Sequence, residues 1–218
     1  MELMERYRQA VDALLAKVRD TQTERIIATG KLIANSVVSG GKIYLSNICH
    51  SIEMDFIYRG GGPIFYKKYN EEEHRELLKA GDVLVVSSVS ERTKSVVDLT
   101  YEMVEKGVNV IAFTSMAYAV QVDPVHESGK KLYEMATLTL DNCAPAAEAM
   151  LEVEGIEARF AAASGIASDY IMWNVTSVVV EELLKKGITP GILKSANYPG
   201  GNDYNKSVIE PNYEKYGY

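Results

Sequence analysis

Four short apolar runs, separated by polar or glycine-containing segments, constrain the fold more than any other feature of the sequence. They span residues 42–46, 81–87, 108–114 and 136–141. Within each run the apolar residues are nearly continuous, whereas a strand with one solvent-exposed face would alternate between apolar and polar residues. Continuous runs are typical of strands that are covered on both faces, as in a parallel sheet. The sequence therefore predicts a parallel sheet between layers of helices.

The segments between these runs have helical patterns. Residues 92–106 carry apolar side chains at helical spacing and stop at Gly107, which completes a strand–helix–strand unit. A long helix is predicted over residues 164–186, and two amphipathic helices are predicted before Gly40 and Gly41. We therefore expect an α/β fold with an N-terminal helical extension over 1–40 and one main domain over 41–218. Its tyrosine-rich tail is expected to pack on the domain or on a partner subunit.

Composition excludes several broad classes of function. The formal net charge of −7 and the pI of about 5.1 disfavour nucleic acid or an anionic membrane as a partner. The two cysteines have no metal-binding spacing, and no GxGxxG motif follows a run, so we expect no metal and no cofactor. No apolar run approaches the roughly 20 residues of a membrane span, and no signal-peptide pattern is present, so a cytoplasmic location is expected.

Polar segments follow three of the apolar runs, where a doubly wound sheet binds its ligands. Five of the nine residues in 87–95 are Ser or Thr, and they precede a predicted helix. Hydroxyl groups and free N–H groups at a helix N-terminus favour a phosphate, although Ser90 or Thr93 would also serve as a simple helix cap. Residues 47–51 and the pair Thr114 and Ser115 follow two other runs. Together these segments favour an anion site at one edge of the sheet.

Several motifs resemble those of sugar isomerase (SIS) domains. Ser88, Ser90 and Thr93 are spaced as in the SxSGxT phosphate loop of that family. Residues 47–51 and 57–62 resemble the GSGHS and FYRAGG segments of its UPF0309-type members, and the likeness extends from about residue 40 to 206. The resemblance implies a three-layer αβα sandwich with a five-stranded parallel sheet, dimerisation, and phosphosugar binding near the dimer interface.

The resemblance also implies a set of binding residues and partners. The expected ligand is a phosphorylated sugar or amino sugar, and the expected assembly is a homodimer or a dimer of dimers. The expected binding residues are Asn47, Ser51, Ser88, Ser90, Arg92, Thr93, Thr114, Ser115 and Ser164.

Three residues depart from the family pattern, because Asn47, Cys49 and Glu91 occupy positions where it has glycine. Glycine lets the backbone approach a phosphate closely, whereas a side chain obstructs that approach. The Glu91 carboxylate would also repel the phosphate, so we expect it to face solvent or to pair with Arg92 or Lys94, unless those two residues bind the phosphate directly. Either the loop is rearranged, which we expect, or the ligand is not a simple sugar phosphate.

Moving a proton between adjacent sugar carbons requires a base, and ring opening requires a second group. The candidates are His50 beside the first loop and Glu152 or Glu154 in a family-like segment, with Glu148 as a weaker alternative. A solvated pair of carboxylates would explain Glu152 and Glu154 equally well. The predicted function is aldose–ketose isomerisation of a sugar phosphate, and the alternative is a non-catalytic sensor of the same ligand.

Overall fold

The computed structural model describes residues 2–218 and contains a five-stranded, all-parallel sheet. The strand order is β2-β1-β3-β4-β5. This sheet confirms the predicted fold class. The strands are β1 (Ile43–Leu45), β2 (Tyr66–Lys68), β3 (Val83–Ser87), β4 (Asn109–Thr114) and β5 (Leu138–Asp141).

Helices and one hairpin surround the sheet. A 3-10 helix, Ile52–Asp55, follows β1, and a π-helical segment, Asn205–Ile209, joins the last two α-helices. Strands β6 (Ala149–Val153) and β7 (Ile156–Ala162) form a separate antiparallel hairpin. The α-helices are α1 (Glu2–Val38), α2 (Glu71–His74), α3 (Lys94–Glu105), α4 (Met116–Ala119), α5 (Leu132–Met135), α6 (Ser164–Lys185), α7 (Gly201–Tyr204) and α8 (Glu210–Tyr216).

The two faces of the sheet belong to two separate apolar clusters, as the continuous runs predict. Val83 and Val85 of β3 point towards the cluster that contains the buried residues of α1 and α6. Leu84 and Val86, the intervening residues, belong to the cluster on the side of α3. Because successive side chains of a strand point to opposite faces, a strand buried on both sides has no polar position to alternate with.

The N-terminal segment is one helix of 37 residues instead of the two helices expected from the sequence. The polar stretch around Gln22 contains no helix breaker, and Gln22 itself is buried, with its side-chain oxygen accepting the N–H of Asp141. This contact keeps the middle of α1 in place against β5. Helix α1 then shares its core with α6 and the sheet.

Two further elements give no clear apolar run in the sequence. Strand β2 has only three residues and pairs with β1, so it lies at the edge of the sheet. At the C-terminus, Ile209 packs against Ile64 and Leu193 and holds the tail on the same chain.

The division of the chain at residue 41 into an N-terminal extension and a main domain stays a prediction. Within residues 2–218, no helix combines the length and the apolar character that a membrane crossing requires.

The close approach of α1 and α6 gives a stability test. A Cβ atom at Gly30 would lie 2.5 Å from the Cβ of Val178, so Gly30→Leu forces the two helices apart. We expect the free energy of unfolding in urea to fall by about 1–3 kcal/mol. The control, Ala28→Leu, adds the same side chain at an exposed position of the same helix and should change stability little. Equal effects of the two substitutions would contradict this packing.

Candidate functional site

A cavity of about 380 Å³ lies where β1 and β3 end. Leu45 pairs with Val85 in the parallel register, so the loops that leave these two neighbouring strands start side by side. Both loops contribute to the cavity, together with residues that follow β4 and β5. Its lining residues are Asn47, Cys49, His50, Ser87, Ser88, Val89, Ser90, Thr93, Val96, Tyr118 and Glu148.

Hydroxyl groups shape the loop after β3. The Ser88 hydroxyl accepts the N–H of Thr93 at 3.3 Å, and the Ser90 hydroxyl accepts the N–H of Arg92 at 3.3 Å. Each of these hydroxyls keeps its own hydrogen as a donor. Thr93 lies at the N-cap of α3 but its side chain makes no capping bond. A simple helix cap therefore does not account for Thr93, and its hydroxyl remains available at the cavity.

Glu91 does not line this cavity, and the expectation that it faces solvent or pairs with Arg92 or Lys94 is wrong. Its side chain turns into the protein, where it is 1% exposed and accepts the N–H of Tyr133 at 3.2 Å. Lys94 pairs instead with Asp98. Glu91 has a φ of +59°, a left-handed conformation that glycine adopts without steric cost, at a position where the family pattern has glycine. The obstruction expected from this carboxylate is thereby avoided.

Burial shifts the pKa of Glu91. Removal from water raises the pKa of its carboxyl, and the nearby Thr114 hydroxyl, the Tyr133 N–H and Lys131 oppose that shift. One carboxyl oxygen, Oε2, has no hydrogen-bond partner in residues 2–218.

The loop after β1 also adopts left-handed backbone conformations without glycine. Cys49, His50 and Ser51 have φ values of +36°, +66° and +78°. The Cys49 thiol lies 3.0 Å from the hydroxyls of both Ser87 and Ser168, which anchors the loop beneath the cavity. Burial raises the pKa of this thiol, which disfavours a nucleophilic thiolate and fits a packing role for Cys49.

Glu148 is the carboxylate that lines the cavity. It precedes β6, has a φ of +79°, and accepts a hydrogen bond from the Ser164 hydroxyl at the start of α6. Ser164 is fully buried, so its hydroxyl orients Glu148 from behind. The sequence pattern ranked Glu148 third because nothing in the chain order shows that the turn before β6 points back to the loops after β1 and β3.

Five residues of the predicted set thus meet in one cavity: Asn47, His50, Ser88, Ser90 and Thr93. Ser164 does not line this cavity itself, but it contacts Glu148, which does. Tyr118 also lines it and was not predicted, because no motif marks a single tyrosine after β4.

The structure places the other predicted residues elsewhere. The Ser115 hydroxyl caps α4 and donates to the carbonyl of Ala144, while Thr114 is buried behind the loop after β3. Arg92 is exposed and does not line the cavity, and Ser51 faces a neighbouring cavity. Glu152 and Glu154 are exposed at the hairpin and do not line the cavity. Their catalytic role rests on the family-like segment alone.

Comparison with known proteins identifies the family. The model of the "Domain of unknown function (DUF2529)" matches residues 9–184. A UPF0309 protein of Streptomyces avermitilis is 31% identical over 95% of this chain and 94% of its own length. The chain belongs to the UPF0309 family. A UPF0309 protein of Shouchella clausii is 28% identical over 96% of each chain. The UPF0309-type resemblance of the loop motifs is thereby confirmed.

Solved structures of other proteins share the SIS fold of this chain. One is a Bacteroides fragilis protein described as a candidate phosphosugar isomerase involved in capsule formation. It has a TM-score of 0.59 and 18% identity, and the match covers 86% of this chain and 92% of that one. Another is the phosphoheptose isomerase GmhA from Neisseria gonorrhoeae, with a TM-score of 0.52, 14% identity, and coverage of 82% and 95%. These similarities establish the fold.

The buried Glu91 predicts a pH-dependent stability difference. Because its folded pKa lies above the ordinary value of 4.5, the folded state loses stability as pH rises through the window above 4.5 and the carboxyl ionises. Glu91→Gln removes that ionisation. We expect the free energy of unfolding of this variant, minus that of the parent, to be larger (the variant relatively more stable) at about pH 8 than at about pH 5. Urea titrations at both pH values measure it.

The matched control is Glu105→Gln, on the exposed side of α3. Its stability difference from the parent should not depend on pH. A pH-independent difference for Glu91→Gln as well would contradict the burial of an ionisable carboxyl at this site.

Proposed function

We propose that this cavity binds the phosphate group of a phosphorylated sugar or amino sugar, and that the protein isomerises the sugar between its aldose and ketose forms. The observation that carries the proposal is the convergence of the Ser88, Ser90 and Thr93 hydroxyls with one oriented carboxylate, Glu148, in a single cavity. Hydroxyl donors beside the N-terminus of a 12-residue helix suit a phosphate dianion. A carboxylate within the same cavity suits proton transfer at the attached sugar.

The backbone adds donors to the hydroxyls. The N–H groups of Lys94 and Ser95, in the first turn of α3, have no acceptor in residues 2–218. The first N–H groups of a helix lack partners within it, and they carry the positive end of the helix dipole. These two groups and the three hydroxyls would surround a phosphate with neutral donors.

Glu148 takes the role of base in this mechanism, in place of Glu152 or Glu154. Its carboxylate removes the proton from C2 of the open-chain aldose, and the electrons move to the carbonyl oxygen O1 to form an enediolate. The proton of the O2 hydroxyl then passes to O1. The same carboxyl then returns the proton to C1, so the ketose forms without net gain or loss of protons. His50, which lines the cavity from the opposite loop, transfers the proton that opens the sugar ring.

A second candidate function is a sensor that binds the sugar phosphate without turning it over. The replacement of family glycines by Cys49 and Glu91 favours it, because both loops now depend on buried side chains for their shape. The two candidates share the binding site and differ in proton transfer.

Assembly with a second copy, as a homodimer or a dimer of dimers, also belongs to the proposal. Strand β7 is exposed along nearly its whole length, and its Phe160 lines an apolar cavity with Leu3 and Tyr7 of α1. Exposed apolar surface of this kind is typical of subunit interfaces.

Binding is tested by removing two hydroxyls. We expect the double variant Ser90→Ala, Thr93→Ala to lose glucose 6-phosphate and glucosamine 6-phosphate affinity by at least about 100-fold, since each hydrogen bond to a charged group is worth roughly tenfold or more. Isothermal titration calorimetry measures the affinities. The double variant Thr23→Ala, Ser177→Ala removes the same groups from exposed helix positions and should bind normally. Affinity of the loop variant within twofold of the parent would refute the site.

Catalysis is tested by exchange of the C2 proton for deuterium in heavy water. Glu148→Gln should slow exchange by about 10²–10⁴-fold, the usual contribution of a positioned base, while affinity stays within a few-fold. Glu152→Gln and Glu154→Gln are matched controls that should exchange normally. A loss in either control with normal exchange in Glu148→Gln would return the role to the hairpin. Binding by the parent without exchange would identify a sensor.

A further inference from the structure

Glu91 is an ionisable residue in the loop that is proposed to hold the phosphate. It lies between Ser90 and Thr93, which line the cavity, and its N–H binds the carbonyl of Ser88 in the turn of that loop. Its side chain is 1% exposed and does not line the cavity. A charge on this carboxyl would therefore act on a bound phosphate through the protein interior, where water and salt screen it little.

The Glu91 carboxyl has fewer hydrogen-bond donors around it than a buried carboxylate requires. Its Oε1 accepts the Tyr133 N–H at 3.2 Å, whereas Oε2 is buried and has no partner in residues 2–218. A buried ionised carboxylate normally accepts several hydrogen bonds or forms an ion pair, because its removal from water is otherwise costly. The neutral acid has no charge to desolvate, so these surroundings favour it.

The charged group that acts on Glu91 from the elements packed against it is Lys131, which precedes α5. Its ammonium group donates to the carbonyl of Ala119 at 2.8 Å, and within residues 2–218 it forms no ion pair with Glu91. Tyr133, a titratable residue of the same helix, contributes its backbone N–H and lines a different cavity. Arg92, the next residue of the loop, is exposed. Lys131 therefore offsets the charge of an ionised Glu91 only in part.

The hydroxyl of Thr114 links the Glu91 carboxyl to the wall of the cavity. Thr114 ends β4, is fully buried, and lies near this carboxyl. Its hydroxyl donates to the carbonyl of Val89 at 3.4 Å, and Val89 lines the cavity. Because a hydroxyl has one hydrogen, Thr114 would have to leave Val89 in order to donate to an ionised Glu91. A neutral Glu91 makes no such demand.

We propose that Glu91 is a positioning residue whose neutral form holds the loop after β3 in its phosphate-binding shape, so that phosphate binding is coupled to protonation of this carboxyl. This inference rests on the proposed function, because it requires the phosphate to bind beside Ser90 and Thr93. A bound dianion disfavours a negative charge on Glu91, and the neutral form leaves the Thr114 hydroxyl on the carbonyl of Val89. In the complex, the carboxyl therefore keeps its proton to a higher pH than in the free protein.

The direction of the pH dependence follows from burial and from the phosphate charge. Burial raises the pKa of the Glu91 carboxyl above 4.5 in the free protein, and the bound phosphate raises it further. In the window between these two pKa values binding takes up a proton, so affinity falls as pH rises through that window. Ionisation of the phosphate and of the other groups in the cavity is the same for a Glu91→Gln variant, so it cancels in a ratio of the two affinities.

The test measures the affinity for glucose 6-phosphate by calorimetry at about pH 5.5 and about pH 8.5, in the parent and in Glu91→Gln. Glutamine has the shape of the neutral carboxyl, accepts the Tyr133 N–H in the same way, and cannot ionise. We expect the ratio of variant to parent affinity to be about tenfold larger at the higher pH, which corresponds to a rise of about one unit in the Glu91 pKa on binding. The matched control, Glu105→Gln on the exposed side of α3, should give the same ratio at both pH values. An unchanged ratio for Glu91→Gln would overturn the inference.

A second variant, Thr114→Val, tests the link through the hydroxyl. It removes the donor that an ionised Glu91 would recruit and keeps the shape of the buried side chain. We expect the affinity for glucose 6-phosphate to begin its fall at a higher pH than in the parent, because the ionised carboxyl is less stabilised. The control is Thr100→Val on α3, which removes a buried hydroxyl that has no partner in residues 2–218 and does not line the cavity. Identical pH profiles for Thr114→Val and the parent would contradict the part assigned to Thr114.

The outcomes also separate this inference from the proposed function. If glucose 6-phosphate binds and the Ser90→Ala, Thr93→Ala variant abolishes that binding, the phosphate site stands. A pH-independent ratio for Glu91→Gln then removes the proton coupling alone. If no phosphorylated sugar binds at either pH, both proposals are wrong.

Discussion

The parallel pairing of β1 with β3 is the constraint on which the site depends. Leu45 lies opposite Val85, and the N–H of Ser46 extends the ladder by binding the carbonyl of Val85. The two strands therefore end together, and the loops that follow them leave from the same edge of the sheet. This is also where the chain order reverses, since β2 lies on one side of β1 and β3 on the other. Open α/β sheets bind ligands at such a point because the neighbouring loops diverge and leave a crevice.

Both loops contain residues in left-handed backbone conformations, which glycine adopts without steric cost. In this chain, contacts made by side chains stabilise these conformations instead. A non-glycine residue in this region is strained, so the surrounding structure has to hold it in place. Cys49 is held by the hydroxyls of Ser87 and Ser168, and Glu91 by the N–H of Tyr133. The loop after β3 is thereby tied to the start of α5, which a glycine at this position would not do. Its shape depends on packing elsewhere in the domain.

The sequence predicted what local pattern and strand order determine, and missed what depends on distant contacts. Continuous apolar runs identified four of the five sheet strands, and helical spacing located α3 and α6. Both patterns depend only on residues that are close together in the sequence. The edge strand β2 was not predicted, since two of its three residues are lysines and give no apolar run. The inward turn of Glu91 was also missed, because its partner Tyr133 lies 42 positions away. The same reason explains Glu148, which reaches the cavity only through its φ of +79° and its bond with Ser164.

The chain carries a net charge of −7, yet we propose that the cavity at the strand ends binds an anion. The two facts are compatible because the donors there are hydroxyls and backbone N–H groups, whose dipoles act at hydrogen-bond distance, whereas the net charge acts over longer distances that salt screens. Within residues 2–218, neither lysine nor arginine lines this cavity. Placing the Glu91 carboxylate inside the protein also removes from the loop after β3 a negative charge that would oppose a phosphate directly. Recognition by neutral donors then depends on the shape of the two loops, and hence on the buried contacts that hold Cys49 and Glu91.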